Sequence, residues 1–172
     1  GDNTDVMGRY AVVDLFAGPG GLAEGFASLR DDSGGRPFSI ALSVEKESSA
    51  HETLLLRSFV RQFGDELPDE YTTFLDGRVP EPDWGSLYPT QWQAAELEAR
   101  CLTLGNPDVD DLLVPVLDSI RDTFHGDTVL IGGPPCQAYS LIGRARNRGI
   151  ATYVAEDDRR HYLYREYVAI LK

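Results

Sequence analysis

The chain has 172 residues and a formal net charge of −12, with 16 Lys and Arg against 28 Asp and Glu. That length suits one domain with a sizeable core, and its 42% hydrophobic content is ordinary for a soluble globular protein. No apolar run approaches the roughly 20 residues needed to cross a bilayer, the first ten residues lack a signal peptide's basic and apolar regions, and the acidic balance taken alone argues against a nucleic-acid partner.

Residues 9–16, RYAVVDLF, predict a strand ending near Asp14 or Phe16. AGPGG at 17–21 follows, then LAEGFASLR at 22–30, where Leu22, Phe26 and Leu29 are spaced like one helical face. FSIALSVE at 38–45 alternates large and small residues as a second strand and closes on an acid, Glu45. A helix capped by Ser48 or Ser49 is expected through about Phe63, with Leu54, Leu55, Phe59, Val60 and Phe63 as its apolar face.

Residues 64–90 change character: four prolines lie there, and seven acids face one Arg78 between 65 and 83. This predicts a surface insertion with little regular structure. A helix is expected at 90–103, which makes Cys101 a small buried hydrophobe. Another is expected at 109–124, with Pro115 weakening or kinking it. DTVLI at 127–131 reads as a buried strand, 141–156 as a loop and 157–171 as a last helix. Alternating strands and helices predict an α/β fold around a parallel sheet.

Two sites stand out. Gly18, Gly20 and Gly21 join the first strand to the first helix, where glycines admit a ligand close to the backbone and the helix offers free N–H donors. Glu45 ends the next strand, where a carboxylate commonly accepts hydrogen bonds from a ribose. A nucleoside cofactor is expected, and spacing alone does not separate a dinucleotide from S-adenosylmethionine. The second site is GGPPCQAYS at 132–140. Cys136 follows a strand's carboxyl end and two prolines, and such rigidity holds a nucleophile in one attack geometry. The two cysteines, Cys101 and Cys136, make no C-x-x-C pair, so a metal site is not expected. His51, His125 and His161 show no spacing that suggests a Cys–His pair, and a reduced, cytoplasmic setting is assumed.

Together the two sites resemble the cytosine carbon-5 DNA methyltransferases. DLFAGPGG at 14–21 looks like their first cofactor motif, Glu45 in SVEKE like the ribose acid, GGPPCQAYS like the catalytic loop, and DDRRHYL at 157–163 like the next, weaker motif. The resemblance implies the N-terminal part of a Rossmann-like S-adenosylmethionine-dependent methyltransferase fold, a doubly wound sheet. It implies cofactor contacts from Phe16, Ala17, Gly18, Gly20, Gly21, Leu22, Glu45, Lys46, Pro135 and Leu163. Asn106, Asp108 and Asp110 are candidates for the adenine amino group. Cys136 is the implied catalytic nucleophile: its thiolate adds to carbon 6 of an extruded cytosine, carbon 5 takes the methyl group and loses its proton to a base, and the cysteine leaves. Gln137, Ser140, Arg144 and Arg146 are the implied nucleic-acid contacts.

The family's later motifs and its target-recognition domain have no counterpart in the chain. The expectation is therefore an N-terminal fragment of a larger, bacterial modification enzyme that acts on double-stranded DNA, inactive by itself. The acidity then says little of the whole enzyme. Methylation of cytosine in transfer RNA, a non-catalytic nucleoside-binding module and an NAD-dependent enzyme are the competing functions. The last gives no reason for Pro-Pro-Cys-Gln.

Overall fold

The structure, a computed structural model, describes residues 7–134. The element order is β1 (Tyr10–Leu15), α1 (Gly21–Ser28), β2 (Phe38–Glu45), α2 (Ser48–Arg61), α3 (Asp69–Leu75), α4 (Trp84–Leu87), α5 (Pro89–Glu98), β3 (Ala99–Cys101), α6 (Pro107–Thr123) and β4 (Thr128–Gly132). The four strands form one sheet in the order β3-β2-β1-β4, every pair parallel. Parallel neighbours cannot be joined by a hairpin, so each connection must cross the sheet, and the intervening helices do so. The α/β reading with a parallel central sheet is thus what the chain adopts.

The central strand β1 is buried from Ala11 to Leu15. A strand covered on both faces needs a near-continuous apolar run, which AVVDL supplies but for one residue. Ala11, Val13 and Leu15 share one hydrophobic cluster with Leu42 and Val44 of β2 and with Leu113, Ile120 and Phe124 at and just beyond α6. Asp14 lies opposite Ser43 in the register, and both are fully buried. The register slips by one residue between Val12 and Val13, which pair with Ile40 and Leu42. Beyond it Leu15 pairs with Val44, so Glu45 ends β2 at the same sheet edge as the turn after Leu15.

The 64–90 segment corrects the expectation of an irregular surface insertion. It contains α3 and α4, and Trp84 is only 3% exposed. Trp84, Tyr71, Phe74 and Tyr88 pack with Phe59, Phe63 and Trp92 in a second cluster, where Phe59 has ring neighbours at 5.1 Å (Phe63), 5.2 Å (Trp84) and 5.4 Å (Trp92). The acids and prolines counted in the sequence stand on the outside, while the aromatics between them supply a core.

The helix expected at 90–103 is also corrected. α5 ends at Glu98, and Ala99–Cys101 becomes β3, paired with Ser43–Glu45. The free edge of β2 offers hydrogen bonds that a further helical turn would forgo. Cys101 is exposed rather than buried. α6 runs through Pro115, whose exposed position lets water meet the carbonyl that loses its partner. The last predicted helix, at 157–171, and the loop at 141–156 lie outside the described residues. Among the described residues no helix is long and apolar enough to cross a membrane.

Candidate functional site

The carboxyl ends of β1 and β2 bring eight of the predicted residues to one place: Phe16, Ala17, Gly18, Gly20, Gly21, Leu22, Glu45 and Lys46. After Leu15 the backbone turns through Phe16 at φ 57°, Gly18 at φ 57° and Gly20 at φ 88°. Left-handed backbone suits glycine and strains phenylalanine by about 1 kcal/mol. The Ala17 N–H donates to the Val44 carbonyl at 3.0 Å, and the Gly20 N–H to the Ala17 carbonyl at 3.1 Å, which fastens the turn to β2. Gly20 then caps α1. A methyl group added at Gly18 or Gly21 would meet nothing within 4 Å, so the turn faces open space. Leu22, in the first turn of α1, is exposed.

Glu45 stands against this turn. Its Oε2 accepts the Gly18 N–H at 2.7 Å, and its Oε1 accepts the N–H groups of Lys46 at 2.9 Å and Glu47 at 2.8 Å. Three backbone donors fix the carboxylate, and among the described residues no side-chain cation pairs with it. Lys46 is exposed beside it. Cys101 is Glu45's partner across the β2–β3 pair, with Sγ 3.8 Å from the Lys46 carbonyl. Of the adenine candidates, Asn106 caps α6, its Oδ1 accepting the Asp108 N–H at 3.2 Å. His51 serves structure: its Nε2 lies 3.1 Å from the Ala99 carbonyl.

Asp14 is a residue that the sequence reading did not single out. It is fully buried below the turn, and no described group completes a hydrogen bond to either of its oxygens. Burial pushes its pKa up to about 6, against the pull of the Ala23 N–H and the Arg61 guanidinium; Glu45 pushes in the same direction as burial. The signal in the sequence was an acid inside an apolar strand, which is rarely placed there without a role.

The described residues also include Gly132-Gly133-Pro134, the start of the second predicted site. Gly132 pairs with Leu15 in the β1–β4 register, so the chain leaves the sheet beside the glycine turn. Cys136, Pro135, Gln137, Ser140, Arg144, Arg146 and Leu163 lie outside the described residues. Among the described residues no group of three His, Cys, Asp or Glu side chains could hold a metal ion.

Among proteins of known sequence, the chain is 34% identical over 176 residues to the Type II methyltransferase M.Bpa9945I of Bacillus paralicheniformis (strain ATCC 9945a / NCIMB 11709 / CD-2). No family model matches the chain, and no solved structure does. The alignment covers 93% of this chain and 37% of that protein. The chain is a homologue of a Type II methyltransferase and spans a little over a third of its relative's length.

Proposed function

We propose that this chain is the cofactor-binding part of a DNA methyltransferase that moves a methyl group from S-adenosylmethionine to carbon 5 of cytosine. The observation that carries the cofactor is the pair of carboxylates at the glycine turn. In dinucleotide enzymes such a turn gives its free N–H groups to a pyrophosphate. Here the Gly18 N–H is taken by Glu45, and the Ala23 N–H leans toward Asp14. Two negative charges at a helix N-terminus disfavour an anionic ligand and favour a cationic one. A sulfonium bearing an amino acid and a nucleoside meets that charge, whereas a pyrophosphate would lose the Gly18 donor to Glu45.

S-adenosylmethionine supplies the electrophilic methyl group. The residues of this chain that would hold it are the turn from Phe16 to Leu22, Glu45 on the ribose hydroxyls and Lys46 beside the adenine, with Pro135 and Leu163 completing the pocket. Glu45 is suited to that task because three backbone donors already orient it and a carboxylate can accept further bonds from hydroxyls. Cys136 is proposed as the nucleophile on carbon 6 of the cytosine, with Gln137, Ser140, Arg144 and Arg146 against the nucleic acid. The similarity to a Type II methyltransferase supports DNA as the substrate.

The test uses the full-length protein with labelled S-adenosylmethionine and offers duplex DNA or transfer RNA carrying 5-fluorocytosine. Fluorine cannot leave as the carbon 5 proton does, so the covalent intermediate stays trapped. The expected result is an adduct with DNA that Cys136→Ala abolishes. An adduct with RNA alone replaces DNA as the substrate. Cofactor binding with no adduct across a pool of all short target sequences overturns the cytosine chemistry.

A further inference from the structure

Helix α2 has two working faces. One, through Phe59 and Phe63, enters the aromatic cluster built with Trp84, Tyr88 and Trp92. The other carries Leu54, Arg57 and Arg61, spaced i, i+3 and i+7 and therefore in line along the helix. All three meet the glycine turn or the helix that follows it. The Leu54 Cδ1 lies 2.8 Å from where a Cβ on Gly20 would stand, so Leu54 fills the space under the turn. Arg57 Nη1 donates to the Pro19 carbonyl at 2.9 Å. Arg61 bonds both Glu24 on α1 and Glu98 at the end of α5.

The Arg61 and Glu98 side chains are 13% and 11% exposed. A charge held that far from water is costly to leave alone, so this pairing fixes α1 against α2 and α5. We propose that Arg57 and Arg61 are positioning residues for the cofactor turn: Arg57 holds its Pro19 carbonyl, and Arg61 ties down α1 while supplying the positive charge that faces the buried Asp14. Both act through the bonds they make to the turn and to α1. The inference rests on the reading of the turn as the S-adenosylmethionine site.

The charged groups around Asp14 come from each element packed there. Arg61 faces it from α2 and Glu45 from the end of β2. Glu24 of α1 and Glu98 of α5 act through Arg61, which they share. Burial and Glu45 both favour a protonated Asp14, and Arg61 opposes them. An ionised Asp14 favours a cationic ligand, so affinity should fall as pH drops through the Asp14 transition. Removing Arg61 should move that transition upward.

The experiment measures S-adenosylmethionine affinity of the full-length protein by calorimetry from pH 5 to 9, with folding followed by circular dichroism. Wild type is expected to bind with a midpoint near pH 6. Arg61→Met should move the midpoint upward and weaken binding at pH 7 several-fold, through the lost charge and the loosened α1 together. Arg57→Met should weaken binding at every pH with the midpoint unmoved. Arg61→Lys keeps the charge but cannot bridge two carboxylates as a guanidinium does, so it should keep the midpoint and weaken binding a few-fold. A folded Arg61→Met with the wild-type midpoint overturns the inference alone. So does an Arg61→Lys that binds like wild type, should the Met variant not fold. Wild type that binds no S-adenosylmethionine at any pH overturns the cofactor reading itself.

Discussion

The Glu45 carboxylate accepts a 2.7 Å hydrogen bond from the Gly18 N–H, joining the end of β2 to the middle of the glycine turn. The two residues are 27 apart in sequence. One side chain therefore shapes the turn, and the proposed cofactor site depends on it. Glu45→Gln keeps the size but can accept through one oxygen only. Its amide must either turn from Gly18 or give up Lys46 and Glu47. A loss of about tenfold in cofactor affinity is expected, and about a hundredfold for Glu45→Ala. Calorimetric titration of both variants checks this; equal binding by Glu45→Ala and wild type would remove Glu45 from the site.

Burial of Asp14 opposes stability at neutral pH. Its folded pKa of about 6 lies above the unfolded value, which is about 3.9. The folded state therefore holds the proton more tightly. That favourable contribution is complete below about pH 4 and is lost as pH rises through 6. Asp14→Asn carries no charge to desolvate, so at pH 7 it should gain on the order of 2 kcal/mol over wild type. The gain should vanish at pH 4. Denaturant melts at the two pH values measure it. Weaker S-adenosylmethionine binding should accompany the gain, the trade-off typical of a strained functional group.

Gly18 and Gly20 both have positive φ but differ in surroundings. At Gly20 a new methyl group would stand 2.8 Å from Leu54, which is itself fully buried. Gly20→Ala should cost about 2–3 kcal/mol of stability, combining backbone strain with overpacking. At Gly18 the methyl group meets open space. Gly18→Ala should cost only about 1 kcal/mol in stability yet weaken ligand binding, because the methyl group stands on the face of the turn proposed for the cofactor. Thermal melts and titrations on the two variants separate the effects.

Trp84 tests whether the 64–90 segment is part of the core. It is 3% exposed and packs on Phe59, Tyr71 and Phe74. Trp84→Ala should destabilise the protein by about 3–5 kcal/mol, as for other buried aromatics. A loss under about 0.5 kcal/mol, the scale of an exposed site, would restore the view of a surface insertion. Urea denaturation gives the value directly.

Much of this arrangement was legible in the sequence because it depends on local chemistry. β1 and β2 read as strands from their apolar runs, the turn from its glycines, α2 and α6 from helical spacing, and Glu45 from its place at a strand's end. Those signals need only a few neighbouring residues. What required the folded chain was pairing between distant segments. Ala99–Cys101 has helical neighbours and became a strand because the edge of β2 was open to it. The 64–90 segment looked like a loop because its acids and prolines are frequent, while its aromatics gain meaning only against Phe59. Asp14 could be seen in DLFAGPGG, but its strained charge comes from burial under α1 and α2 together with Glu45. Arg57 and Arg61 carried no signal in the sequence, and the tertiary structure alone turned them toward Pro19, Glu24 and Glu98. The sequence by itself determined the elements with strong local signals, β1, β2, α2 and α6, and the glycine turn between β1 and α1; burial, and the fields of charges far away along the chain, were decided when those elements packed.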